Sequence, residues 1–129
     1  MDLADLKRRS LASRETTHAI NGRDFTLRVP TRHETTVAVR KCSVDAGTDE
    51  AALYVIVRRY LLEQAIVAWS GVTVHDLLPD DPSTELQPHE AGAVSIMLDT
   101  QIGWASELSD KLVELIAARN AAQDSAAKN

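Results

Sequence analysis

The stretch TDEAALYVIVRRYLLEQAIVAWSG, Thr48–Gly71, decides the fold. Thr48 and Asp49 are residues that cap helix N-termini, and Leu53, Val57, Tyr60, Leu61, Gln64, Ala65, Ala68 and Trp69 then recur at the i, i+3, i+4 spacing of a helix face. Ile56, Ile66 and Val67 widen that stripe. The pattern predicts a central apolar helix running to Trp69 or Ser70, with Gly71 closing it.

Upstream lies THAINGRDFTLRVP, residues 17–30. Asn21-Gly22 supplies the two positive-φ positions of a type I′ turn, and Phe25, Leu27 and Val29 alternate with polar residues. This reads as a β-hairpin with one apolar face. Two strands alone are marginal, so the hairpin must pack on helices or pair its edge with another chain. Pro30 ends the second strand, and Thr31-Arg32-His33-Glu34 reads as a capping box. Val37, Ala38, Lys41 and Cys42 fit a helix over about 32–42, although ETTVAV is rich in β-branched residues and also admits a third strand. Residues 1–14 have only Leu3 and Leu6 on a common face, which predicts a mobile or weakly docked segment.

Downstream, VTVHDLLPDDPSTELQP reads as an acidic loop, with a turn at Asp76 to Leu78. Pro88 opens a helix that buries Val94, Met97 and Leu98. A last helix over about 102–119 carries Trp104, Leu108, Leu112, Leu115 and Ile116 on one stripe, and residues 120–129 read as a frayed tail. The expectation is a mainly α fold with a small N-terminal β-hairpin (α+β), about four helices packing around the central one. Residues 15–119 form its single globular domain.

At 129 residues with 44% hydrophobic and 26% charged, the chain is neither disordered nor low in complexity, and it needs no disulfide or metal staple. The uncharged run Ala65–Val74 is too short to span a bilayer, and no signal peptide is visible. One cysteine, Cys42, fits a reducing compartment. Residues 1–64 carry 11 Lys/Arg against 9 Asp/Glu and residues 65–129 carry 3 against 10, so a net +2 half joins a −7 half. An acidic half repels phosphate backbones, which argues against broad nucleic-acid binding. The asymmetry suits two solvated faces, head-to-tail contact between copies, or a basic partner.

Catalytic chemistry finds no pattern. His89-Glu90 lacks the second His that a zinc helix needs, since residue 93 is Ala. Asp76, Asp80, Asp81 and Glu85 are interrupted by Pro79 and Pro82 and lack the central Gly of a calcium loop, so they read as solvated. Ser70-Gly71 is not part of a GxSxG elbow, and no phosphate-cradling Gly motif occurs. The chain reads as a non-enzyme with no cofactor and no metal. Arg58-Arg59 interrupts the central helix: either both lie on its solvent side, or they meet an acidic partner surface such as a second copy. Trp69 belongs either to the core or to a partner contact.

Four fragments in succession carry a family resemblance: FTLRVPTRHE, AIVAWSGVTVHDLLP, QPHEAGAVSIMLD and IGWASELSDKLVELIAARN. Over about residues 23–119 they resemble the tail assembly chaperones of long-tailed bacteriophages and prophages, in which a helix ending in W-x-G-V precedes a loop and another helix. Trp69, Gly71 and Val72 are the matched positions. The resemblance implies a non-enzymatic protein of the host bacterial cytoplasm. It would bind the tape-measure protein and tail-tube subunits, and leave before the virion is complete. It also implies a frameshifted longer form as a partner, and Ala127-Lys128-Asn129 is a tripeptide that a slippery A-AAA-AAC heptamer could encode. The candidate partner-binding residues are Trp69, Gly71, Val72, Arg58, Arg59 and Phe25, and a homo-oligomer is a further candidate assembly. The rival readings are a structural head–tail or tail-completion protein and a small regulatory binding domain.

Overall fold

The computed structural model describes residues 1–128. Their order is α1 (Leu3–Ala12), β1 (Glu15–Ile20), β2 (Arg23–Arg28), α2 (Arg32–Ala46), α3 (Glu50–Ala65), β3 (Ile66–Ser70), α4 (Val74–Leu77), α5 (Ala91–Thr100) and α6 (Ile102–Ala127). The fold is α+β, 63% helical, with a three-stranded antiparallel sheet in the order β1-β2-β3.

The hairpin forms as its turn chemistry requires: Asn21 has φ 49° and Gly22 φ 81°, and Ile20 pairs with Arg23 beside them. Thr31 and Glu34 make the reciprocal capping box at the start of α2. That helix runs to Ala46, past residue 42, and residues 32–42 are helical rather than a third strand.

The central helix is shorter than its apolar stripe. Asp49 caps it by accepting from the amides of Ala51 and Ala52, but it ends at Ala65, and Ile66–Ser70 turns directly into β3. The reason is β2, whose second edge would otherwise leave backbone groups unpaired. Gly71 therefore ends a strand rather than a helix. Likewise α5 starts at Ala91 instead of Pro88, because residues 85–87 pair with 72–74 just beyond β3: Gln87 donates its amide to the Val72 carbonyl at 2.8 Å. The expected loop at 72–88 contains the short helix α4. The tail is not frayed: α6 continues to Ala127, through good helix formers, and Arg32 holds it by donating to the Asn120 carbonyl and the Asp124 carboxylate. Asn129 lies outside the described residues. Residues 3–12 are a formed helix, capped by Asp2, yet none of them is buried.

The core lies between the inner face of the sheet and helices α3, α5 and α6. Phe25, Leu27, Val72, Val94, Met97 and Leu108 are fully buried there. The stripes expected on the last two helices match, with Val94, Met97, Leu98, Leu108 and Leu112 buried and Trp104, Leu115 and Ile116 packed against them.

Gly71 has φ +80°, and a Cβ on it would stand 2.8 Å from the Gly22 carbonyl oxygen. The hairpin turn thus packs directly on the backbone that follows β3. Gly71→Ala combines a left-handed conformation with a backbone clash and is expected to cost about 2–3 kcal/mol, read as a lowered urea midpoint. An unchanged midpoint would mean that the two turns are free to separate.

Candidate functional site

The six residues singled out from the sequence fall into two groups in space. Phe25, Trp69, Gly71 and Val72 meet at the junction of sheet and helices. Phe25 stands edge-on to Trp69 at 6.3 Å and packs against Trp104 at 6.0 Å. Trp69 also meets His89 edge-on at 5.3 Å and donates its indole N–H to the Gln87 carbonyl at 2.8 Å. His89 is in turn held by its Nε2, 2.9 Å from the Ile66 carbonyl oxygen. Phe25 and Val72 are inaccessible to a partner, so their place among contact residues is corrected: they support the surface from beneath. Trp69 and Gly71 are half-buried, and the W-x-G-V segment works as a pin that locks β3 to the hairpin turn and to the 85–89 segment.

Arg58 and Arg59 sit on α3 with acids of their own chain. Arg58 pairs with Asp110 at 3.3 Å, donates to the Ser109 hydroxyl at 2.8 Å and stacks over Tyr54. Arg59 pairs with Glu63 at 2.8 Å and Asp99 at 2.9 Å. Burial lowers the Arg59 pKa, but the hydrogen bonds it donates to Glu63 and Asp99 outweigh it and raise it above the ordinary value. The acidic partner considered for these arginines is therefore supplied within the chain, by Asp99 and Asp110 of the second half and by Glu63 of α3 itself. Arg23–Asp76 and Arg32–Asp124 also join the two halves, and His18 Nε2 lies 3.0 Å from Glu107, so part of the charge asymmetry is paired within the chain.

Asp76 departs most from its solvated reading. It is 4% exposed. Arg23 grips it with two hydrogen bonds, 2.7 Å to Oδ1 and 3.2 Å to Oδ2, while Oδ2 also accepts from the Thr73 amide at 2.9 Å. Its backbone carbonyl accepts from the Gln101 side chain at 2.8 Å. The Arg23 guanidinium lies over the Trp104 ring at 4.9 Å. The signal was present in the sequence as Thr73-Val74-His75-Asp76, a helix N-terminus in which a side chain three residues on closes the cap.

The open apolar surface lies elsewhere. A cleft of about 320 Å³ opens between the exit of β2 and the α2–α3 pair. Leu11, Pro30, Val37, Ala38, Tyr60, Leu61 and Ala65 line it, with Arg14, Arg28 and Glu34 among its polar lining residues. Arg14 pairs with Glu34 and Arg28 with Glu15, so these charges are already balanced. Burial pushes the Glu34 carboxyl upward, but the Thr31 amide and Arg14 hold it below the usual carboxylate range. Beyond the cleft, Val44 is 83% exposed near the end of α2, and Val55 and Tyr54 are exposed on α3. Sequence periodicity placed Val37, Ala38, Tyr60 and Leu61 on helix stripes but gave neither Leu11 nor the cleft, because the cleft depends on how α2 folds back on α3. Cys42 is buried between these helices, which pushes its thiol pKa up and leaves it a packing residue.

Among the described residues, no three His, Cys, Asp or Glu side chains converge as a metal site would need, and no helix is long and apolar enough to cross a membrane. No protein-family model, curated protein or solved structure matches the chain.

Burial alone would raise the Asp76 pKa, but the Arg23 side chain and the Thr73 amide outweigh it and hold the carboxyl below its usual range. A depressed folded-state pKa means that its stabilisation is complete above the unfolded value of ~3.9 and disappears as pH falls through the folded value. Asp76→Asn is expected to lose about 2–3 kcal/mol at neutral pH by urea titration. From pH ~4 downward its stability should also fall less steeply than the wild type's. Equal acid slopes for the two proteins would exclude Asp76 as the titrating group.

Proposed function

We propose that the protein is a non-enzymatic tail assembly chaperone of a long-tailed phage or prophage, acting in the host bacterial cytoplasm. It binds the tape-measure protein and tail-tube subunits while the tail is built. The observation that carries the reading is the open apolar cleft between the β2 exit and α2–α3, concave and flanked by charges that are already paired. Such a surface suits release as well as binding: it takes up one or two apolar side chains of a partner segment without stranding a buried charge. The resemblance of residues 23–119 to the chaperone family supplies the identity of the partners, and the W-x-G-V segment within it is what holds β3 and thereby the cleft wall at Ala65 in place. A frameshifted longer form of the chain belongs to the same proposal.

The test is co-purification from cells in which the phage or prophage is assembling. The tape-measure protein should be retained by the wild type, and Val37→Glu, which places a charge in the cleft at an already exposed position, should reduce retention at least tenfold with unchanged circular dichroism. The chain should be absent from finished particles. Finding it there in fixed stoichiometry would replace this reading with that of a structural tail protein.

A further inference from the structure

We propose that the protein forms a twofold dimer in which the free edge of β1 pairs antiparallel with β1 of a second copy, and α1 of each copy closes over its partner. This holds whether or not the chaperone reading does. The sheet has two edges, and among the described residues only the β3 edge has another segment of the chain bonded alongside it. Along β3, the Ile66 carbonyl meets the His89 ring, the Trp69 indole reaches the Gln87 carbonyl, and Gln87 bonds Val72 just beyond the strand. Along β1, no hydrogen bond among the described residues reaches the backbone of Glu15, Thr17 or Ala19 from any element outside the sheet.

The turn sets the phase of that edge. With Asn21-Gly22 as a two-residue loop, Ile20 and Arg23 exchange hydrogen bonds, and the alternation places His18 and Thr16 in bonded pairs with Phe25 and Leu27. Glu15, Thr17 and Ala19 therefore point their N–H and C=O groups away from β2. A twofold axis through Thr17 matches Thr17 with its own copy and Glu15 with the partner's Ala19, satisfying all of these groups in about six interchain hydrogen bonds. No like charges face each other in this register. The strand also lacks the Lys, Pro or bulge by which free edges are ordinarily guarded.

Charge and area single out a second copy as the occupant. The antiparallel arrangement brings the start of each β1, where α1 enters, to the turn end of the partner's sheet. That end carries the Gly22–Gly71 contact, the Arg23–Asp76 pair and the exposed Asp24 beside the turn. Lys7 and Arg9 of α1 make no ion pair among the described residues, and they lie within about 10 Å of helix rise from the strand. Strand pairing alone buries less than the ~800 Å² per partner of a standard interface. The exposed Leu3, Leu6 and Leu11 of α1 supply the missing apolar area.

Sedimentation of the purified full chain across a micromolar concentration series tests this. The expected species has twice the 14.1 kDa protomer mass and dissociates on dilution and with added salt. Thr17→Pro removes an amide that bonds nothing within one copy, so it should keep the circular dichroism spectrum and raise the dissociation constant at least tenfold. Leu6→Glu on the exposed face of α1 should do the same. Hydrogen exchange should show the Thr17 and Ala19 amides protected at high concentration and open at low. A chain that stays monomeric throughout, a dimer indifferent to Leu6→Glu, or edge amides whose exchange ignores concentration would each overturn the proposal.

Discussion

An ionised carboxylate cannot be buried alone, and the way Asp76 meets that constraint organises the rest of the structure. Its oxygens need Arg23 from the central strand and the Thr73 amide from the start of α4, while its own carbonyl takes the Gln101 side chain at the α5–α6 junction. One residue thus fixes the hairpin end of the sheet, a short helix and the corner between two long ones. The aromatic contacts build on the same anchor, since Arg23 lies over Trp104 and Trp104 packs on Phe25. An apolar pair of similar volume could fill that space at similar stability. It would not carry directional bonds to three separate elements.

The ion pairs between the halves act differently. Arg32–Asp124 and Arg58–Asp110 have partly exposed partners, so each contributes little net stability. Their effect is orientation: they lay α6 along α2 and α3 and pair part of the basic half with the acidic one. The cleft between the β2 exit and α2–α3 is then an apolar interaction surface, whereas the α1–β1 margin combines exposed leucines with Lys7 and Arg9, which are unpaired among the described residues.

Much of this was legible in the sequence. Asn21-Gly22, the Thr31–Glu34 capping box and the 3.6-residue stripes of α5 and α6 each rest on local chemistry, and each formed as read. The third strand did not announce itself, for a specific reason. Between Thr26 and Leu27 the β2–β3 register shifts, so that Leu27 faces Ile66 and Phe25 faces Trp69. Val67 is the extra residue of a bulge, and it brings Ile66 and Trp69 to the same sheet face at a spacing of three. That spacing is also helical, so the strand continues the stripe of α3 without a break. Asp76 was misread for the opposite reason: its local surroundings are those of a loop, and the cation that buries it lies 53 residues away.

The wide separation of these partners also bears on how the chain is made. The hairpin emerges from the ribosome early, but its third strand follows some 40 residues later, and Arg23 waits 53 residues for Asp76. Arg32 finds Asp124 only when nearly all of α6 has been synthesised. The hairpin and the α2–α3 pair join near neighbours and can close early, but the core they share with α5 and α6 waits for the end of translation. Until then the open sheet margin and the apolar face of α3 are both exposed, and a newly made copy depends on rapid completion to escape aggregation.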